Sequence, residues 1–143
     1  HSSFLKVTPN TAWLKKRARY WNTINRKFTI SSEKVKMVTL DKYCLVKKIK
    51  FIDILKIDVE GFEDRVLRGA KTLLNNNRIK LIIIEIKMDN THGKPNSFYD
   101  IEKYLAKNNF KLYALEVLGN GFVSRLNDNF GCDAIYFNEN LKS

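Results

Sequence analysis

The sequence predicts an α/β domain on a mostly parallel sheet whose last two strands pair antiparallel. Three observations lead there. From residue 50 onward, β-branched runs alternate with amphipathic stretches in the order strand, helix, strand, helix, strand, loop, strand, and such alternation builds parallel sheets. The last two strands have no helix between them, which is the connection of an antiparallel pair. The chain has 143 residues, 44% hydrophobic and 12% aromatic, enough for one domain with a core and too little for two ordinary ones. That density of Ile, Leu, Val and Phe excludes a collagen-like, low-complexity or wholly disordered chain.

The elements follow in order. Thr8-Pro9 opens a helix over about residues 10–22, with Leu14, Ala18 and Trp21 on one stripe. Residues 29–34 are a polar connector. Val35–Leu40 alternates as a short strand, and Asp41 caps a helix running to about Lys48. Residues 52–59, Ile-Asp-Ile-Leu-Lys-Ile-Asp-Val, form a strand broken by Gly61. A helix from Glu63 to Leu74 presents Val66, Leu67, Ala70, Leu73 and Leu74 on its apolar face, with Glu63 and Asp64 in its first turn. Asn75-Asn76-Asn77 ends it. Ile79–Ile86 is apolar nearly throughout, as a strand covered on both faces reads. A loop over 89–96, a helix over 97–108, a strand over 111–117, a long link and a strand over 132–137 complete the chain.

Charge is concentrated at one end. Residues 1–50 hold 13 Lys and Arg against two acids, Glu33 and Asp41, while residues 51–143 hold 13 of each. The cations are densest in Lys15-Lys16-Arg17-Ala18-Arg19 and at Arg26-Lys27, interleaved with Trp13, Tyr20 and Trp21. Cations among aromatics can track phosphates and stack on bases; they equally mark an amphipathic helix with solvated charges. Two cysteines, Cys44 and Cys132, fit neither a disulfide framework nor a zinc ligand set, so a reducing, cytoplasmic compartment is expected. The longest apolar run, Leu81–Ile84, falls far short of the roughly 20 residues of a membrane span. His1-Ser2-Ser3 leads into a mixed polar stretch with no apolar signal-peptide core. From the start on His, a processed chain or a piece of a longer one is expected.

The chemistry gathers at strand ends. Alternation puts Lys56, Asp58 and Glu60 on one face of their strand, and Leu81, Ile83, Glu85 and Lys87 on one face of the next. Ligands bind outside the carboxyl ends of strands in open α/β sheets, so Asp58, Glu60 and Glu85 are expected to converge on one crevice. The structural alternative is that Lys56 neutralises Asp58 and Glu60 caps the following helix. His92, in the polar loop Asp89-Asn90-Thr91-His92-Gly93, is a candidate general base, or else a solvated loop histidine. Asp58, Glu85 and Asp89 offer oxygen ligands without a spacing that demands a metal, so none is expected. Both cysteines read as small core residues.

These residues resemble a known family. Val38-Thr39-Leu40-Asp41-Lys42-Tyr43-Cys44, then Ile54-Leu55-Lys56-Ile57-Asp58-Val59-Glu60-Gly61-Phe62-Glu63, then Val66-Leu67-Arg68-Gly69-Ala70 resemble the "TLDDY", "LLKIDVEGxE" and "VLxGA" segments of the FkbM-type methyltransferases, in the same order. Ile82–Ile86 with Glu85 is similar to that family's next strand. The resemblance covers about residues 36–137. It implies a Rossmann-like fold, S-adenosylmethionine as cofactor, and methylation of a hydroxyl on a sugar or natural product. The chain departs from the family in one respect. The upstream strand and Gly-rich turn resembling "VDVGANxG" are missing, since the first glycine is Gly61; Gly119-Asn120-Gly121 opens no helix and is a weak substitute.

The resemblance therefore implies the distal, carboxyl-terminal half of a Rossmann-like methyltransferase sheet. Residues 1–35 form a basic, partly helical leading segment and 36–143 the α/β half. The isolated fragment is expected to be inactive, with Asp58, Glu60, Glu85 and His92 as catalytic candidates and the main cofactor-binding residues outside the chain. The expected partner is a small-molecule or glycan acceptor, with no specific nucleic acid and no membrane span. Self-association through the uncovered strand 53–58 is also expected. The alternative from a different class is a non-catalytic α/β module that binds an acidic partner, nucleic acid or an anionic surface, through residues 13–27.

Overall fold

The computed structural model of the chain describes residues 33–87, 98–117 and 131–141. The chain divides into two compact units, His1–Met37 and Val38–Ser143, and all regular elements described belong to the second. They are α1 (Leu40–Val46), β1 (Ile52–Ile57), α2 (Glu63–Arg68), α3 (Lys71–Asn75), β2 (Ile79–Lys87), α4 (Phe98–Ala106), β3 (Phe110–Val117) and β4 (Gly131–Asn138), closed by a 3₁₀ turn at Glu139–Leu141. The expected helix over 10–22 and loop over 89–96 lie outside the described residues.

The sheet has the order β1-β2-β4-β3. β1 and β2 are parallel, with Ile57 beside Ile84. β4 runs antiparallel to β2 on one side and to β3 on the other. The expectation of a mostly parallel sheet is therefore corrected: one neighbouring pair is parallel and two are antiparallel. Strand direction explains the difference. The connection through α4 brings β3 back in the direction of β2, as a crossover does. β4 then returns by the long link and inserts between them, so three strands run one way and the intruder reverses both of its pairings. The antiparallel β3–β4 pair is as expected.

Register divides the side chains between the two faces. Leu55 and Ile57 align with Ile82 and Ile84, and these with Tyr136 and Ala134. Ile57, Ile82, Ile84, Ala134 and Tyr136 are buried, joined in one core by Leu67, Ala70 and Leu74 and by Ile101 and Leu105 of α4. The other face carries Lys56, Ile83, Glu85, Asp133 and Ile135. There Leu81, Ile83 and Glu85 are half-buried, so β2 lacks the full burial on both faces that its apolar run predicts.

Three local expectations are corrected. Residues 33–39 form no strand, and Val35, Met37 and Val38 are exposed; alternation without a neighbouring strand to bond buries nothing. The cap of α1 is Thr39, whose hydroxyl accepts the Lys42 N–H at 3.2 Å, and not Asp41. The helix expected over 63–74 is broken at Gly69-Ala70 into α2 and α3, and Asp41 serves the second piece instead of α1. The Asp41 N–H donates to the Gly69 carbonyl at 2.9 Å. Its carboxylate accepts Thr72 N–H at 2.8 Å and Leu73 N–H at 3.0 Å. Asp41 therefore caps α3 from 31 residues away in sequence, and α3 has no side-chain cap of its own. A Cβ at Gly69 would sit 3.3 Å from the Arg65 carbonyl oxygen of the preceding turn, a tight contact, and at an ordinary 3.5 Å from Thr39 Cα.

Candidate functional site

β1 ends at Ile57, and the chain then turns sharply into α2. Glu60 and Gly61 both take positive φ, 53° and 101°. Glycine is the residue that accepts the second angle without strain. The turn is tied by Glu63, a buried carboxylate whose Oε1 accepts Gly61 N–H at 3.0 Å and Val59 N–H at 3.3 Å. The Arg65 guanidinium lies over the Phe62 ring, 4.7 Å from its centre. The N-cap position of α2 is Phe62, with no side-chain cap bond. Glu63, the first residue of α2, thus ties the amides of the turn ahead of the helix.

The pairing of Lys56 with Asp58 in the structural alternative is corrected. Lys56 forms its ion pair with Asp133, near the start of β4, and not with Asp58. Lys56 aligns with Ile83, and Asp133 aligns with Glu85 two residues further along β2. The lysine therefore reaches over β2 to the next strand but one, about 10 Å at ordinary strand spacing. Asp58 lies past the end of β1 and is exposed; Glu60 is half-buried. Strand alternation stops at Ile57, so it does not carry through to place Asp58 and Glu60 on the Lys56 face.

Glu85 does face the rim. Glu85, Asp133 and Glu116 stand in one cross-strand row on β2, β4 and β3. Asp133 is only 7% exposed. Its Oδ2 takes the Lys56 ammonium, while its Oδ1 is buried without a hydrogen-bond partner. Like charges set opposite one another across strands destabilise a sheet, and a buried acceptor left unpaired costs about 1–3 kcal/mol. The negative field is felt next door. The Cys132 thiol is pushed up first by burial, then by Asp133 and Glu85.

The rim thus collects the carboxyl ends of β1, β2 and β3 and the amino end of β4, bringing Lys56, Glu85, Asp133 and Glu116 together, with Asp58 and Glu60 on the turn that follows β1. His92 and the basic-aromatic stretch 13–27 lie outside the described residues. Sequence reasoning missed Asp133. Its signal was an acid inside the apolar run Cys132-Asp133-Ala134-Ile135-Tyr136-Phe137, two residues from the strand start and on the Ile135 face. Without the antiparallel register it had no visible neighbour.

As a cofactor cradle, the described residues offer a single glycine turn. The only strand–turn–helix among them with a glycine in the turn is β1–Gly61–α2, and its turn amides are already taken by the Glu63 carboxylate. Gly69 faces packed backbone. These residues do not fit S-adenosylmethionine. Nor, among the described residues, does any group of three His, Cys, Asp or Glu side chains come together to hold a metal ion. No described helix is long and apolar enough to cross a membrane.

No curated protein and no solved structure matches the chain significantly. A family model does: residues 4–112 match the methyltransferase FkbM domain. The match starts well ahead of the resemblance carried by the motifs and ends within β3. It takes in the Thr39–Asp41 cap, the Gly61–Glu63 turn, the Gly69 contact and Glu85 (the elements that hold one side of the rim in place). The match extends over more than half of the chain, and the chain belongs to the FkbM methyltransferase domain family.

Proposed function

We propose that the chain is the acceptor-side, carboxyl-terminal half of an S-adenosylmethionine-dependent O-methyltransferase acting on a hydroxyl of a sugar or natural product. One observation carries the acceptor assignment: Asp133 is buried and anchored by Lys56 on one oxygen, and its second oxygen, itself buried, has no partner. A carboxylate so held would accept an alcohol O–H from a ligand that displaces the side chains covering it. Lys56 fixes its direction without filling the remaining lone pairs. Glu85 stands beside it on the same face and supplies a second acceptor for a polyol. Asp58 and Glu60 wall the crevice at the turn after β1. Holding the alcohol in one orientation is the main contribution such residues make to group transfer, and the acceptor O–H proton has a carboxylate within the same rim to receive it. The methyl donor would be held by residues outside those described, because the one glycine turn here is already closed by Glu63.

The test is a label-transfer assay on the enzyme carrying both halves, with hydroxylated, amino and carboxyl acceptors compared. The expected result is label on oxygen of a polyol. Asp133→Asn and Asp58→Asn should lower turnover while the native fold persists. The 143-residue chain alone should show weak or no binding of S-adenosylmethionine by calorimetry. Label on nitrogen overturns the acceptor class, and micromolar cofactor binding by the chain alone overturns the assignment to one half.

A further inference from the structure

Asp58 and Glu60, which wall the crevice on the reading above, lie where the sheet no longer holds them. The last aligned pair of β1 and β2 is Ile57 with Ile84, so the ladder stops before residues 58–61. There Glu60 takes φ 53° and Gly61 follows at 101°. The first is a conformation that residues with a side chain adopt rarely. A residue kept in it is held by its surroundings.

Glu63 is what holds it. Its Oε1 accepts the Gly61 N–H at 3.0 Å and the Val59 N–H at 3.3 Å, and these are the amides on either side of Glu60. One oxygen thus pins the backbone around Glu60, and Val59 is bonded directly to Asp58. Glu63 is only 5% exposed, so packing fixes the carboxylate in turn. The helix that carries it, α2, is anchored in the core through Leu67.

We infer that Glu63 is a positioning residue for methyl transfer, locking the turn after β1 in the shape that presents Asp58 and Glu60 to the acceptor. The inference rests on the reading of the rim as the acceptor site and names what sets one wall of it. The role requires an acceptor oxygen at the reach of a glutamyl side chain more than it requires a charge. Glutamine supplies that oxygen, and aspartate, one methylene shorter, does not. A general base needs the reverse, since aspartate keeps the ionisable group and glutamine loses it. The two substitutions separate these roles.

The experiment uses the enzyme carrying both halves, with labelled S-adenosylmethionine and the polyol that takes label in the acceptor comparison above. Glu63→Gln, Glu63→Asp, Asp58→Asn and Glu60→Gly are compared by kcat and by KM for each substrate. Glycine at position 60 accepts φ 53° without strain and removes only the side chain. Glu63→Asp should raise KM for the polyol and lower kcat/KM about tenfold or more, as misplacement of a reacting pair does, with KM for S-adenosylmethionine unchanged. Glu63→Gln should recover most of that loss. In the 143-residue chain, the Val59 and Gly61 amides should exchange faster in Glu63→Asp and stay slow in Glu63→Gln.

A purely structural glutamate would lower the urea midpoint and leave both KM values of the folded enzyme in place; that result overturns the inference. So does a Glu63→Asp enzyme that outperforms Glu63→Gln. Should Glu63→Asp not fold, Glu63→Gln decides alone, and a loss of about tenfold in its kcat/KM overturns positioning. Full turnover in both Asp58→Asn and Glu60→Gly overturns the rim reading together with the inference. Losses in those two with an indifferent Glu63→Asp overturn the inference alone.

Discussion

Replacing Asp41 by alanine removes the link that divides α2 from α3 and holds α1 against them. Three bonds are at stake, and their fates differ. The backbone bond from Asp41 N–H to the Gly69 carbonyl does not depend on the side chain. The two carboxylate bonds, to Thr72 and Leu73 amides at 2.8 and 3.0 Å, are lost. Hydrogen bonds to a charged group contribute about 1.5–3 kcal/mol each in sheltered sites. Here Thr72 is exposed and water can replace one partner, so loss of a helix cap, about 1–2 kcal/mol, is the better measure. The α3 helix has five residues and no other side-chain cap, so nothing local compensates. Asp41→Ala should therefore destabilise by about 2 kcal/mol, and Asp41→Asn, which keeps one carbonyl acceptor, by about half of that. Urea unfolding followed by circular dichroism measures both. The midpoint should fall with the slope unchanged, because the surface exposed on unfolding stays the same. A loss below about 0.5 kcal/mol for Asp41→Ala would refute the reasoning, since that is the scatter of surface substitutions.

Further outcomes follow from the same contacts. Gly61→Ala forces a side chain into φ 101° and should cost about 1 kcal/mol or more, read as a lower urea midpoint. Lys56→Met should destabilise more than Asp133→Asn. The first leaves a buried carboxylate unpaired and the second leaves a lysine that is 45% exposed and turns to water; equal losses would argue against the anchoring role of Lys56. Burial pushes the Cys44 and Cys132 thiols up, with Asp41 adding at the first and Asp133 and Glu85 at the second. Both should stay inert to alkylating reagents at neutral pH until the protein unfolds. Because the native values are raised, their contribution to stability is intact below the ordinary thiol range and falls as pH climbs through it; urea midpoints along an alkaline series check that sign.

Element type was readable wherever the signal was local. β1, β2, β3, β4 and α4 follow from β-branched runs and from Ile101 and Leu105 one turn apart, and each is present within a residue or two of its expected bounds. What failed was set by tertiary contact. The break between Glu63 and Leu74 falls at Gly69-Ala70, where a single glycine is only a weak breaker signal, and the cap that starts the second piece comes from Asp41, outside the segment. Val35–Leu40 has strand alternation but no strand to pair with. The insertion of β4 between β2 and β3 depends on where a long link returns, which sequence periodicity does not encode. At the rim, Glu85 was legible because it closes an apolar strand. Lys56 was legible as a cation but not as the partner of Asp133, a contact 77 residues distant that exists only through the sheet order.

The motifs that make the chain recognisable do mostly structural work, which bears on where its chemistry resides. Thr39 caps α1, Asp41 caps α3, the Gly69 carbonyl accepts the Asp41 amide, and Gly61 with Glu63 turns β1 into α2. Each satisfies backbone groups that would otherwise be buried unpaired, and that demand is the same whatever the acceptor. Lys56 and Asp133 are different. Burying a carboxylate against a half-exposed lysine gains little over an apolar pair of the same size, and leaving Oδ1 unpartnered loses more. Packing alone would favour a hydrophobic residue at position 133, between Cys132 and Ala134 in the core strand. On the proposed reading, an acid held there at a cost, oriented by a second charge and set beside Glu85, is completed by the acceptor. The framework residues therefore make the chain identifiable as a family member, and on the proposed reading the acceptor contacts lie at the rim on the opposite face of its sheet.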